Sequence, residues 1–294
     1  MKVKLSPNDR VFYVVNYSLL LLFSFFTLYP FLFVLSASLS DSLPLAQGKV
    51  WIYPIGINIS SYRMVLKDPQ VWLGYKNTIW YVLVGTGVNL FLTLLTAYPL
   101  SRRTFGGRRV IMLLIAFTMF FSGGMVPTYL LIRNLGLINS PWAIVLSAGI
   151  NTWNLIITRS FFEALPEELF ESAHIFGCND FQILLMIILP LSGAIIAVMV
   201  LFYAVARWNE YFSAILYLTS EKYWPLQSYM RRILIQYQQN ESNAQLVDIS
   251  GDRQAIAQTI RYATIIVATV PTLCVYPFLQ KYFVKGVMVG AIKG

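Results

Sequence analysis

Six stretches of this chain contain no Asp, Glu, Lys, Arg or His: residues 11–38, 77–101, 110–132, 141–158, 183–206 and 262–280. Each reaches the roughly 18 apolar residues that read as a membrane span, and at about 1.5 Å rise per residue each is long enough to cross. In hydrocarbon every backbone amide must find its partner inside the protein, so uninterrupted runs of this kind fold as helices. The rest of the composition agrees. Only 12% of the residues are charged, against about 25% in soluble domains, while 57% are hydrophobic, and the mean hydropathy is +0.63. The expected class is all-α, a polytopic membrane protein with six transmembrane helices. No inverted repeat, low-complexity tract or appended soluble domain interrupts it, so residues 1–294 read as one membrane domain.

The first run follows Lys2, Lys4 and Arg10 and ends on Ser36, Ala37 and Ser38, which resembles a cleavable leader. A cleavable apolar region is only about 7–15 residues long. This run is much longer and reads as an uncleaved anchor, with a kink expected at Pro30. Arginine density sets the orientation. The short loop between the second and third runs holds Arg102, Arg103, Arg108 and Arg109, and the tail holds Lys281, Lys285 and Lys293. With the basic start, these mark a cytoplasmic side that includes both termini. The opposite side carries Lys49, Arg63, Lys67, Lys76, Arg133, Arg207, Lys222, Arg231, Arg232 and Arg253, mostly in the longer segments 39–76 and 207–261. Long segments cross largely regardless of charge, so the dense short loop is given the greater weight. The net charge of +9 then serves membrane retention, and no basic–aromatic module points to nucleic acid.

The spans offer no catalytic set. Cys178 and Cys274 lie on different segments without metal-ligand company, and a disulfide is not expected in the cytoplasm. The single histidine, His174, sits in a loop as a surface residue. No phosphate-binding glycine loop follows Gly106-Gly107 or Gly123-Gly124, and the second pair reads as a helix break. Ion-coupled carriers usually keep an ionisable group at membrane depth. Here Arg207, Glu210 and Arg261 stand only at span ends. An ion-coupled secondary carrier or channel is the alternative reading. Uphill transport would need energy from another chain.

One polar island breaks the pattern. Residues 163–180 hold five of the thirteen acidic residues: Glu163, Glu167, Glu168, Glu171 and Asp180. Pro166 and the Glu167-Glu168 pair suit a first helical turn. Gly177 can end that helix in a left-handed conformation. A second helix from Asp180 to Pro190 leads into the fifth run, giving a helix–turn–helix at the membrane surface. Read on physics alone, it is either a partner surface or a solvated amphipathic helix.

Glu171-Ser-Ala173, Gly177 and Ile188-Leu-Pro190 stand at the spacing of the "EAA loop", and on them the chain resembles the permeases of binding-protein-dependent ABC importers. Three positions depart from the family pattern: Ser172 for the first Ala, Phe176 for an Asp, and Cys178 for an Ala. The lead-in Phe161-Phe-Glu-Ala-Leu-Pro-Glu-Glu-Leu169, Trp208-Asn-Glu-Tyr-Phe212, and the terminal Gln280–Gly286 and Gly290–Gly294 segments resemble MalG-type carbohydrate permeases. Phe121-Ser-Gly-Gly-Met-Val-Pro-Thr-Tyr129 and Pro225-Leu-Gln227 resemble the LplC/YtcP-like branch.

The resemblance implies a MetI-like permease fold in a bacterial cytoplasmic membrane, importing a sugar, often an oligosaccharide. It implies a second homologous permease chain, two ATPase subunits that bind ATP and Mg, and an extracytoplasmic solute-binding protein. This chain itself would bind no cofactor and catalyse nothing. Glu167, Glu168, Glu171, Ser172, Ala173, Phe176 and Gly177 would form the ATPase-coupling helix, within a loop of about residues 161–182. Tyr98, Asn151, Trp153, Asn154 and Tyr203 are the candidate sugar path, because polar and aromatic side chains in apolar spans can hydrogen-bond and stack on sugar rings. Their plainer reading is interhelical packing. Tyr237, Gln238, Gln239, Asn240 and Glu241 are the candidate binding-protein contact, in a stretch expected to be a loop.

Overall fold

The computed structural model describes residues 7–244 and 255–274. The C-terminal signature segments from Gln280 onward lie outside these residues. The described residues divide into two compact units, one formed by residues 7–69 with 230–244 and 255–270, the other by 70–229 with 271–274.

The first unit is built on helix α1, Pro7–Leu39, which runs unbroken through Pro30. Its apolar residues from Val11 to Phe31 are largely exposed, as suits a helix facing lipid or another chain. Its C-terminal end is folded in. Ala37, Leu45 and Val50 form a small core with Phe33 and Tyr262, and the Phe33 and Tyr262 rings meet edge to face at 5.7 Å. Ser61 Oγ donates to Thr259 Oγ1 at 2.9 Å.

The second unit is organised around helix α2, Pro69–Ser101. It starts eight residues before the apolar run does, because Pro69 suits a first helical turn. One wider, π-helical turn interrupts it at Tyr81–Gly85. Next come α3, Arg108–Phe120, and α4, Met125–Asn134, which meet at 115°. The break is where the glycine pair placed it, and Gly124 holds a φ of +87° that L side chains avoid.

Residues 141–158, expected as one span, form two helices: α5, Pro141–Ser147, and α6, Thr152–Glu163. The chain leaves the helical region at Ala148, with φ −124° and ψ 42°. Side chains from distant helices take the carbonyls that this break frees, as described below. Helix α7, Glu168–Ile175, follows. The fifth run is also bent. Helix α8, Asp180–Leu191, and α9, Gly193–Trp208, meet at 85°, where Pro190 removes a backbone donor and Ser192-Gly193 carry the turn.

Helix α10, Phe212–Tyr217, and α11, Leu226–Ala244, complete the polar segment before the last span, α12, Ala255–Cys274. The stretch expected as a loop, from Tyr237 to Ala244, is instead a continuation of α11. Among the described residues, three continuous helices and two bent pairs are long and apolar enough to cross a membrane, and no strand occurs.

Candidate functional site

The acidic island folds as a short helix seated on the end of α2. Helix α7 buries Phe170 and Ala173, three residues apart on one face. They join a core containing Leu94, Ala97, Tyr98, Leu155, Phe162 and Ile183. The other face projects Glu168, Glu171 and Ser172. Ile175 and Phe176 stand out further, 84% and 86% exposed. The C-terminus closes as a Schellman turn. Gly177 takes φ +77°, its N–H donates to the His174 carbonyl at 2.9 Å, and Cys178 N–H reaches the Ala173 carbonyl at 3.0 Å. Asn179 and Gln182 then form a reciprocal capping box that starts α8.

Arg102 ties this helix to the end of α2, and two further arginines tie the neighbouring end of α6. Arg102 is only 9% exposed. Its guanidinium lies 3.5 Å from the centre of the Phe170 ring, and its Nη2 donates to the Phe162 carbonyl at 2.8 Å. Burial lowers its pKa, opposed chiefly by the carboxylates of Glu167 and Glu163 and by Tyr98. Arg159 donates to the Leu100 carbonyl at 3.0 Å and pairs with Glu163 at 2.8 Å. Arg108 reaches the same carboxylate at 3.4 Å. Arg102 and Arg108 of the arginine-rich loop therefore make structural contacts, a role that charge counting missed.

Of the proposed sugar-path residues, Asn151, Trp153, Asn154 and Tyr203 line one cavity of about 700 Å³, with Asn89, Phe202, Arg207, Asn209 and Glu210 among its other walls. Tyr98 does not. It lines a second depression with Arg102 and Asp180 and donates to Asp180 Oδ1 at 3.2 Å, so it belongs with the acidic helix. Glu210 accepts from the Ser213 N–H at 3.1 Å and so caps α10. Of the proposed binding-protein contact, Tyr237, Gln238, Asn240 and Glu241 have side chains outside those described, whereas Gln239 is exposed on α11.

Arg207, read from the sequence as a charge at a span end, is 3% exposed in the last turn of α9. Asn89, which the sequence reading did not single out, is fully buried. Its signal was available: polar residues inside apolar spans turn inward, and Asn89 and Thr93 stand four apart on α2, as Tyr203 and Arg207 do on α9.

Residues 6–289 match the family model described as "Binding-protein-dependent transport system inner membrane component". The chain belongs to this family and is a membrane permease component of such a system, which in general joins permease, ATPase and binding-protein subunits. The ion-coupled carrier reading is set aside. Among its relatives is the polygalacturonan/rhamnogalacturonan transport system permease protein YtcP of Bacillus subtilis, 41% identical, with 98% of this chain and all of that protein covered. Protein LplC of the same organism is also 41% identical, with 97% and 96% covered. A chain from the crystal structure of a bacterial ABC transporter involved in the import of the acidic polysaccharide alginate superimposes with a TM-score of 0.84. The two are 34% identical, over 95% of this chain and 99% of that one.

Proposed function

We propose that this chain is one of two permease subunits of an ATP-driven importer of an oligosaccharide, and that helix α7 couples it to the ATPase. The cargo class rests on the relatives, which are described as transporting polygalacturonan/rhamnogalacturonan and importing the acidic polysaccharide alginate. The observation that carries the coupling role is the construction of α7: an exposed face bearing Glu168, Glu171, Ser172 and Phe176, backed by a buried face clamped to α2 through Arg102. A helix held in this way passes displacement to the spans instead of fraying. Gly177 ends it, and the capping box of Asn179 starts α8 at once, so movement of α7 pulls directly on the fifth run.

In this reading the acidic helix and both termini face the cytoplasm, and two ATPase subunits bind the ATP and Mg. A binding protein docks on the other side, where Tyr237, Gln238, Gln239, Asn240 and Glu241 on α11 are the candidate contact. The residues of the cavity, Asn151, Trp153, Asn154 and Tyr203, form this chain's part of the sugar path. The chain acts as one permease domain and carries out no chemistry of its own. Buried at the ATPase, Glu171 meets a basic side chain, and removing one partner of a buried ion pair costs about 3–5 kcal/mol. Glu171→Ala should abolish binding-protein-stimulated ATP hydrolysis in the reconstituted transporter while the chain still inserts. Normal stimulation by cargo-loaded binding protein in that variant would refute the coupling role.

A further inference from the structure

Helices α2 and α9 are joined by two polar rungs, and both rungs grip the break between α5 and α6. In the first, Arg207 makes five hydrogen bonds. Its Nε and Nη2 donate to Asn89 Oδ1 at 3.0 and 2.9 Å. Its Nη1 and Nη2 also donate to the carbonyls of Ile144, Val145 and Ala148 at 2.8, 2.9 and 3.1 Å. Asn89 turns its amide to the carbonyls of Ala148 and Gly149, the latter at 2.8 Å. The carbonyls of Ile144 and Val145 are among those a helix leaves orphaned at its C-terminus, where a cation also meets the negative end of the helix dipole, and those of Ala148 and Gly149 follow in the break. In the second rung, Tyr203 and Thr93 share a hydrogen bond of 2.6 Å, and the Tyr203 hydroxyl accepts from the Asn151 N–H at 3.3 Å. Asn151 in turn caps α6 through the Asn154 N–H at 3.0 Å.

The rest of α2 is shaped around the first rung. A Cβ placed on Gly85 would lie 2.9 Å from Arg207 Nε, and Gly85 ends the π-helical turn of α2. A wide turn with a bare glycine admits a guanidinium where an ordinary helix would block it.

We propose that this ladder is a positioning device for transport: Arg207–Asn89 and Tyr203–Thr93 hold the broken segment 148–151 as a fixed wall of the cavity. The segment then moves with α2 and α9 as one body during alternating access. Arg207 is 3% exposed and all three of its nitrogens donate within the chain, so it acts on the wall and not as a hook for the carboxylates of an acidic cargo. The inference rests on reading the cavity as part of the sugar path.

The test uses the complete transporter in proteoliposomes with its binding protein and a cargo oligosaccharide. Two quantities are read per assembled complex: cargo moved per ATP hydrolysed, and hydrogen exchange of the amides in residues 148–151. Arg207→Gln should speed exchange in that segment alone and lower cargo per ATP about tenfold or more, since small misplacements are costly in built sites. Thr93→Val is the sharper variant. Thr93 does not line the cavity, so any effect on transport must pass through Tyr203 and Asn151. It should move both readouts in the same direction by a smaller factor. If Arg207→Gln fails to assemble, Gly85→Ala displaces the guanidinium without removing it and should give the same two changes. Unchanged exchange, or unchanged cargo per ATP at full assembly, in both Thr93→Val and Gly85→Ala overturns the proposal. Trp153→Ala separates the underlying reading: uptake unaffected by it removes the cavity from the sugar path, even where the ladder variants still alter exchange.

Discussion

Arg102 and Arg207 are both buried, both reach backbone carbonyls across helices, and both brace α2. They differ in how the charge is met. Arg102 sets its guanidinium carbon 3.5 Å from the centre of the Phe170 ring, with the carboxylates of Glu167 and Glu163 acting on it. That arrangement needs a positive charge over a ring and two donors, one to the Phe162 carbonyl and one to the neighbouring Ser101 hydroxyl. Arg207 spreads its donors over Asn89 and three carbonyls of a terminated helix. That arrangement needs the planar fork itself. One anchorage is electrostatic and sits beside a solvated loop. The other is geometric and sits within the spans. The contrast teaches that a single residue type can hold a lever at one end of a helix and a wall at its middle by different physics.

Lysine substitution breaks the comparison most visibly. A lysine keeps a charge over a ring but cannot present a fork. Arg102→Lys should retain most of the transport rate, and Arg102→Ala should lose it. The alanine leaves the Phe162 carbonyl orphaned and removes a desolvated cation–π contact, together worth roughly 3 kcal/mol. Arg207→Lys should behave nearly as badly as Arg207→Gln. The check is initial uptake rate, normalised to the amount of complex. Equal tolerance of lysine at both positions would erase the distinction.

How far the sequence could be read follows the same line. Local features were legible. Apart from 141–158, the apolar runs located the helices long enough to cross a membrane, Pro166 and Glu167 marked the start of α7, and Gly177 and Gly124 marked turns where positive φ is required. Features completed by distant partners were not. The run 141–158 is apolar throughout, yet it breaks at Ala148, because Asn89 and Arg207, 59 positions away on either side, satisfy the freed carbonyls. Hydropathy has no view of such compensation. Arg207 reads from the sequence as a charge at a span end, one residue past an apolar run, and nothing local shows that Asn89 and the 144–148 carbonyls bury it there. Tyr98 looked like a path residue for its polarity, but a long-range bond to Asp180 places it with the acidic helix.

A second pair of changes sharpens the view of α7 as a stiff element, at a smaller scale. Gly177 has open space around its Cβ position and a φ of +77°. Gly177→Ala therefore meets only backbone strain, of order 1–2 kcal/mol for a left-handed residue. Asn179→Ala removes one half of the capping box and costs about 1 kcal/mol. Both should loosen the joint between α7 and α8 and lower ATPase stimulation several-fold, measured against basal hydrolysis by the same complexes. Stimulation at the unmodified level in both would mean that the joint need not be stiff.

Glu163 gives the smallest effect and the most specific one. It bridges Arg108 and Arg159 at the entry to the acidic loop, but it is 36% exposed, and partly solvated pairs contribute only about 0–1 kcal/mol. Glu163→Gln keeps the shape and removes the charge. Transport should fall by less than about fivefold, and the deficit should shrink as salt rises, because salt already weakens the native pair. Arg102 should show the reverse behaviour. Its contacts are buried, so the deficit of Arg102→Ala should persist at every ionic strength. A salt-independent deficit in Glu163→Gln would mean that the carboxylate acts inside a desolvated contact, and Glu163 would then belong with Arg102 as part of the clamp.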